Sequence, residues 1–225
     1  MNQEVNSELN LLIWERDSDI LTFRNQGKSK EEFMSKSLIL GLSLMGFLFL
    51  LATFTNAAAS NPKVLMKTSK GDITIELYPE KAPISVKNFL SYVEDKFYDG
   101  TIFHRVMKGF MIQGGGLNAN FQEKTTKAAI QNEAKNGLKN KRGTLAMARM
   151  DEPHTATSQF FINHVDNPGL DYGQAAGGWG YCVFGKVIQG MDVVDAIANS
   201  PVMTKNYMEN VPRETIKIIS ITLIE

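Results

Sequence analysis

The chain of 225 residues lacks the side-chain groupings that metal-dependent and nucleophilic enzymes need. Its three histidines, His104, His154 and His164, follow neither the HExxH nor the H-x3-5-H spacing of a metal site. The single cysteine, Cys182, can form neither an intrachain disulfide nor a thiolate zinc cluster. Ser158 does not lie in a G-x-S-x-G sequence, which argues against a serine hydrolase. The residue types therefore point away from metal, disulfide and acyl-transfer chemistry.

A fixed cation and a run of glycines remain as candidates for chemistry. Arg105 carries a guanidinium, which stays protonated at physiological pH and presents several N–H donors. The triplet Gly114-Gly115-Gly116 is only superficially like a phosphate-binding loop, because no Lys-Ser or Lys-Thr pair follows it. An isolated arginine on a strand is usually a solvated charge, so the interpretation of Arg105 depends on the sequence around it.

Four short motifs in a fixed order give a more specific signal. They are FHRV (103–106), GFMIQGG (109–115), ATSQFFI (156–162) and VFGKV (183–187). Together they closely resemble the cyclophilin family of peptidyl-prolyl isomerases, and the stretch GTLAMAR (143–149) is similar to the bacterial form of that family. The resemblance extends from about Val64 to Glu225.

The reaction that the resemblance implies needs a donor and no nucleophile, because no covalent bond is broken. Rotation about an X-Pro bond has a barrier of about 18 to 20 kcal/mol, and unaided it relaxes in about 10 to 100 s. The prolyl nitrogen accepts no hydrogen bond in the planar amide but becomes an acceptor in the twisted transition state. A donor aimed at that nitrogen stabilises the transition state selectively, and Arg105 is assigned this role. His104 beside it is expected to be structural, since the reaction needs no general base.

The resemblance also implies a set of residues that bind the substrate. The apolar pocket for the pyrrolidine ring is expected to consist of Phe110, Met111, Phe161 and Leu170. Gln113 is expected to orient Arg105 and to contact the peptide, and Tyr181 is placed in the same binding set. The chain on either side of proline is expected to be held by backbone groups near Ala148 and Arg149 and by the Gln159 side chain. Neither a metal nor a cofactor is implied.

One position departs from the family pattern within the pocket. The family usually carries an aromatic residue just before the leucine at position 170, and here that residue is Gly169. Trp179, in the Gly-rich stretch 173–180, is a candidate to replace the missing aromatic side chain.

Alternating and helical apolar patterns predict the elements that must position these residues. Val64–Met66 and Asp72–Leu77 predict a hairpin around Lys70-Gly71, and the chain closes with a strand within 216–224, where Ile219, Ile221 and Leu223 alternate with polar residues. Further short strands are expected at 102–103, 110–112, 144–147, 160–163 and 183–187.

Two helices are expected among these strands. Pro83 is suited to the first turn of a helix, and apolar residues follow it at helical spacing as far as Phe97. A second helix is expected over 192–198, after Gly190. Eight short strands and two helices favour a mainly β fold, a closed eight-stranded antiparallel barrel capped by two helices, with a β-sandwich as the alternative.

The segment before the domain has the composition of an export signal. Residues 38–54 contain no charge, and Ala57 and Ala59 fit the small-residue rule for signal-peptidase cleavage. Residues 34–59 are therefore interpreted as a signal peptide, cut after Ala59, with an uncleaved membrane anchor as the alternative. Lysines before the apolar run place the following domain, 60–225, across the membrane in the periplasm. Residues 1–33 are expected to be a disordered acidic extension or to precede the true start at Met34.

The sequence thus predicts an exported peptidyl-prolyl cis-trans isomerase that acts on proline-containing segments of unfolded or extended client proteins. The alternative is a proline-peptide binding module or chaperone in which turnover is incidental. With 24 basic and 24 acidic residues, the chain has no cationic excess for binding nucleic acid. Membrane association is expected only if the signal stays uncleaved, and a monomer is the default.

Overall fold

The structure of the protein is a computed structural model that describes residues 60–224. The predicted acidic extension, 1–33, and the predicted signal segment, 34–59, lie outside these residues. In the described part of the chain, no helix combines the length and the apolar composition needed to cross a membrane.

Eight antiparallel strands form the main sheet of the domain. They are β1 (Lys63–Thr68), β2 (Gly71–Leu77), β3 (Thr101–Met107), β4 (Met111–Asn118), β5 (Thr144–Met147), β6 (Phe160–Asn163), β7 (Val183–Gln189) and β10 (Ile218–Leu223). Their order in the sheet is β10-β1-β2-β7-β5-β6-β4-β3. The two outer strands then meet, because Ile102 forms a bridge with Lys217 and the Phe103 N–H donates to the Ile216 carbonyl at 3.0 Å. The sheet is a nearly closed barrel, which confirms the predicted fold class.

Two α-helices pack against this barrel. Helix α1 (Pro83–Glu94) begins with proline and buries Phe89, whose ring centroid lies 5.7 Å from that of Phe160 and 5.3 Å from that of Phe184. Helix α2 (Met191–Ala198) follows Gly190, which adopts the left-handed φ of 86°. Short 3-10 turns lie at Ala134–Asn136 and Pro168–Leu170.

The predicted end of the first helix was wrong by one turn. The helix ends at Glu94, and Lys96 adopts a φ of 52°, a left-handed conformation that commonly terminates a helix. Phe97 therefore lies beyond the helix, yet its ring still packs 4.7 Å from that of Tyr92. The apolar spacing identified a residue of the core without identifying its backbone conformation.

The strict alternation predicted for the last strand was also wrong. Opposite Lys67 and Thr68, the pairing between β1 and β10 shifts register by one residue. Ile218 and Ile221 consequently face the core, three positions apart, while Ile219 is 55% exposed. A bulge changes which residues share a face, and alternation alone does not reveal it.

A further hairpin that the sequence did not predict lies outside the barrel. It consists of β8 (Val202–Lys205) and β9 (Met208–Pro212), and β9 packs beside β3. Asn206 and Tyr207 form its tip with φ of 50° and 62°, so both adopt the left-handed conformation.

The burial of Phe160 and the exposure of Ile219 give a direct test of the inner and outer faces of the barrel. Phe160 is fully buried among aromatic rings, so Phe160→Ala is expected to lower the free energy of unfolding by about 3 to 5 kcal/mol. Urea denaturation of residues 60–225 measures this change. The exposed Ile219→Ala is the matched control and is expected to change stability by less than about 0.5 kcal/mol. Similar losses in both variants would contradict the assigned faces.

Candidate active site

A bulge in β3 turns Arg105 to the outer face of the barrel. Phe103 and Val106 both pack in the core, although they are three positions apart. The register shifts between them, since Phe103 pairs with Gly114 and Arg105 with the adjacent Gln113. One extra residue on β3 therefore reverses the parity of the strand. Without this shift, strict alternation from Phe103 would direct Arg105 into the barrel.

The register of the sheet continues from Arg105 as a row of outer residues across four more strands. Gln113 on β4 pairs with Phe161 on β6, and Phe161 pairs with Ala146 on β5. Ala146 in turn pairs with Val183 on β7. Residues opposite one another in an antiparallel pair share a face, so Arg105 borders an apolar patch on the outside of the barrel.

This apolar patch is a second hydrophobic cluster, separate from the core of the barrel. Its buried members are Met111, Ala146, Ala148, Phe161 and Val183, and its partly exposed members are Met107, Phe110, Leu138, Leu170 and Tyr181. All four residues predicted for the pyrrolidine pocket belong to it. Met111 and Phe161 are nearly inaccessible and form its floor, whereas Phe110, Leu170 and Tyr181 form its rim. The sequence did not identify Met107, Ala146 or Val183, because strand register brings them here, and it did not identify Leu138, which lies in the loop before β5.

Two glutamines connect Arg105 with the strand that carries Phe161. An Arg105 Nη1–H donates to Gln113 Oε1 at 3.4 Å, and Gln113 Nε2 donates to Gln159 Oε1 at 2.9 Å. Within residues 60–224 no ion pair involves Arg105, so its charge is not neutralised by a carboxylate. The guanidinium is therefore oriented by a neutral acceptor and keeps further N–H groups for a ligand.

A polar groove of about 320 Å³ adjoins the apolar patch. It is lined by four predicted residues, Gln113, Ala148, Arg149 and Gln159, together with side chains such as Glu123 and Thr157. Ala148 belongs to both the groove and the apolar cluster, and its N–H donates to the Gln159 carbonyl at 3.0 Å. Each of the ten predicted site residues thus lies in the row that starts at Arg105, in the apolar cluster or in the adjoining groove.

The glycine run serves packing beneath this groove. A side chain at Gly116 would place its Cβ 2.5 Å from Gln159 Cγ, which is closer than real Cβ contacts. Gly115 adopts a φ of 82°, and its Cβ would lie 2.7 Å from the ring of Phe160. Glycine is therefore required here so that Gln159 and Phe160 can approach the β4 backbone.

The Arg149 side chain is committed to the protein itself. It donates to the carbonyls of Met150 and Asp151 at 2.7 and 2.9 Å, and to that of Trp179 at 2.6 Å. Its guanidinium also lies 4.6 Å from the centre of the Tyr181 ring. The arginine ties two loops together beside the site, so its N–H groups are largely used within the protein.

Trp179 does not replace the aromatic residue that is absent at Gly169. Its ring packs 5.1 Å from that of His154 and 5.8 Å from that of Tyr172, and it is not among the side chains that pack on the apolar cluster. A Cβ at Gly169 would meet no atom within 4 Å, so the rim of the pocket is open at this position.

A buried network of three asparagines fixes the segments that carry Phe110 and Leu170. Asn167 Nδ2 donates to the Phe110 carbonyl at 2.8 Å and to Asn163 Oδ1 at 2.7 Å. Asn163 donates to Asn140 Oδ1 at 3.2 Å, and Asn140 donates to the Leu170 carbonyl at 3.1 Å. Buried networks of this kind hold loops in one conformation, and no spacing in the sequence predicts them.

Two titratable side chains near the site are kept neutral by burial. Desolvation lowers the pKa of His104 to about 4, with the adjacent Arg105 charge acting in the same direction. Burial raises the pKa of the Cys182 thiol to about 11, and its sulfur lies 3.3 Å from Ser85 Oγ. Within residues 60–224 the His, Cys, Asp and Glu side chains nowhere form a group of three that could hold a metal ion.

The buried neutral His104 is expected to make stability depend on pH. Its pKa is near 6.5 in the unfolded chain and about 4 in the folded protein, so acid protonates the unfolded state first. The free energy of unfolding should be highest above pH 6.5 and fall by up to about 3 kcal/mol as the pH drops to about 4.

Urea denaturation at a series of pH values measures this dependence. His104→Gln is expected to flatten the slope between pH 6.5 and 4, whereas the exposed His154→Gln should keep it. The same slope in His104→Gln and in the unchanged protein would show that another group is responsible.

Comparison with known proteins agrees with this geometry. The family described as cyclophilin type peptidyl-prolyl cis-trans isomerase matches residues 63–223. A peptidyl-prolyl cis-trans isomerase of Acinetobacter baylyi is 59% identical over 166 residues, which cover 74% of this chain and 87% of the relative. Peptidyl-prolyl cis-trans isomerase B of Escherichia coli is 53% identical over 163 residues, which cover 72% of this chain and 99% of the relative.

A solved structure shows the same fold. A cyclophilin type isomerase of Cryptosporidium parvum, determined in the presence of the dipeptide Ala-Pro, superposes with a TM-score of 0.60 at 31% identity. The match covers 72% of this chain and 99% of that structure. With the barrel, the ordered motifs and these relatives in agreement, the chain belongs to the cyclophilin-type peptidyl-prolyl cis-trans isomerases.

Proposed function

We propose that this isomerase accelerates rotation about X-Pro bonds by donating a hydrogen bond from Arg105 to the prolyl nitrogen in the twisted transition state. Lowering the barrier by about 5 to 7 kcal/mol corresponds to about 10⁴- to 10⁵-fold in rate. A single donor supplies part of this amount, and positioning of the flanking peptide supplies the rest. No covalent intermediate is formed.

The observation that carries this proposal is the position of an unneutralised guanidinium at the edge of an apolar cluster. A carboxylate partner would compete with the prolyl nitrogen for the N–H groups of Arg105, and the described residues supply none. Gln113 accepts from the guanidinium at 3.4 Å, a long hydrogen bond that orients the group and still leaves it able to turn toward a stronger acceptor.

The apolar cluster supports the assignment of a proline pocket. Pyrrolidine is apolar and rigid, and the floor formed by Met111 and Phe161 matches such a ring in chemistry. Phe110 and Leu170 close its sides, and Tyr181 packs edge-on against Phe161 at 5.7 Å. The groove beside it, with Gln159 and the backbone at Ala148, would hold the residues next to proline through polar contacts.

We also infer that the domain acts on proteins outside the cytoplasm, and that residues 34–59 form its signal. The first strand begins at Lys63, so cleavage after Ala59 would leave β1 and all of the barrel intact. Its substrates would then be exported chains that are unfolded or extended, since such chains expose X-Pro bonds to a surface groove. Residues 1–33 would not contribute to this function.

The role of Arg105 is tested with a short X-Pro peptide and the domain 60–225. Arg105→Ala is expected to reduce the rate of catalysed isomerisation at least about 100-fold, on the scale of losing one preorganised donor. Peptide affinity, measured by NMR titration, should change much less, because the ground-state nitrogen accepts no hydrogen bond.

The exposed Arg213→Ala is the matched control for removing one positive charge and should keep full activity. Equal loss of affinity and of turnover in Arg105→Ala would instead favour a proline-peptide binding module with incidental turnover.

The export assignment is tested on the full chain produced in a Gram-negative bacterium. We expect the mature protein to be released with the periplasmic fraction and to begin at Ser60, which N-terminal sequencing and intact mass determine. A membrane-bound product that retains residues 38–54 would identify an uncleaved anchor. A product that stays in the cytoplasm would refute export.

A further inference from the structure

The turn between β3 and β4 is held from outside by a histidine. Gly109 lies in this turn with a φ of 77°, and its N–H donates to His164 Nδ1 at 3.1 Å. His164 directly follows β6, and only 13% of its side chain is exposed. The bond thus joins the turn that leads into Phe110 to the strand that carries Phe161.

The same histidine residue also holds Phe110 through its backbone. The His164 N–H donates to the Phe110 carbonyl at 3.0 Å, and Asn167 Nδ2 donates to that carbonyl at 2.8 Å. Phe110 is therefore fixed on its carbonyl side by two donors and on its N-terminal side by the bond at Gly109. The backbone bonds do not depend on the side chain at position 164, but the bond to Gly109 does.

The hydrogen bond at Gly109 defines the protonation state of His164. An Nδ1 that accepts an N–H must carry a lone pair, so the ring proton lies on Nε2. Nε2 faces α2, where it lies 3.3 Å from Asp195 Oδ1. The hydrogen bond from Arg142 lowers the pKa of Asp195, which keeps that carboxyl ionised opposite the ring.

The charged groups near the ring come from four segments of the chain. Asp195 faces it from α2, and Arg142, in the segment before β5, donates to the His164 carbonyl at 2.6 Å. The backbone N–H of Arg142 donates to Asp166 Oδ1 at 2.8 Å. Lys108 is exposed and directly precedes Gly109 in the turn. Histidine is the residue type in this group that can change its charge in the physiological pH range.

We propose that His164 is a positioning residue for the isomerase reaction, which in its neutral form fixes Phe110 at the rim of the proline pocket. Protonation of Nδ1 replaces the acceptor by a donor that faces the Gly109 N–H, so the turn loses its bond and the rim of the pocket loosens. The inference rests on the proposed function, because it requires Phe110 to contact proline.

The test compares His164→Asn and His164→Leu with the unchanged domain. Asparagine can place Oδ1 near the position of Nδ1, so it keeps an acceptor for Gly109 but cannot be protonated. Leucine fills similar space and offers no acceptor. His154→Asn is the matched control, since His154 Nδ1 also accepts a backbone N–H, from Asn132 at 3.0 Å, but on a different loop.

Peptide Kd and the exchange rate at saturation are measured by NMR from pH 8 to pH 5.5, with a blocked X-Pro peptide that has no titrating group. The unchanged domain is expected to lose about fivefold in affinity toward acid, the scale of one hydrogen bond, with little change in the exchange rate at saturation. His164→Asn should match it at pH 8 and stay constant, and His164→Leu should bind about fivefold more weakly at every pH.

The Gly109 amide resonance gives a readout that needs no variant. It should shift in the same pH range as the His164 ring resonances. The remaining amide resonances should show that the domain stays folded over this range. Identical pH profiles for the unchanged domain and His164→Asn, or full affinity in His164→Leu, would overturn the proposal. Arg105→Ala distinguishes this test from the test of the catalytic donor. This variant should be inactive, yet its peptide affinity should depend on pH in the same way as that of the unchanged domain.

Discussion

Each strand of a barrel wall has one inner and one outer face, and both faces of this wall are in use. Phe160 fills the core and Phe161 forms the floor of the apolar cluster, so two adjacent residues pack on the two faces. The strands that carry the site are therefore fixed by the aromatic rings packed on their other side. This arrangement supplies the rigidity that the proposed role of Arg105 requires, because a loosely held guanidinium would not be a preorganised donor.

The bulge at His104 resolves a conflict that the alternation of side chains creates. Phe103 and Val106 must both face the core, while Arg105 must face outward beside the apolar cluster. A regular strand cannot satisfy all three demands, and one inserted residue does. That residue is buried beside a permanent positive charge, which explains why its imidazole stays neutral. The local distortion of β3 is thus part of how the site is built.

Much of the fold and the site could be predicted because the motifs are local and ordered. The strands around Arg105, Gln113 and Phe161 follow from short apolar patterns, and the resemblance assigns their roles. The contributions of Ala146 and Val183 could not be predicted, since they reach the pocket only through the register of strands that are distant in sequence. The roles assigned to the individual site residues remain predictions.

The pairing of β1 with β10 has a consequence for when this molecule can fold. Val64 lies opposite Leu223, so the first strand of the barrel finds one of its two neighbours only at the far end of the chain. Closing so long a loop is slow, and it cannot begin until β10 has been synthesised. A chain threaded through a narrow translocation channel from its amino end would arrive with its barrel still open. The same connectivity that closes the barrel therefore delays its closure for as long as β10 has not emerged.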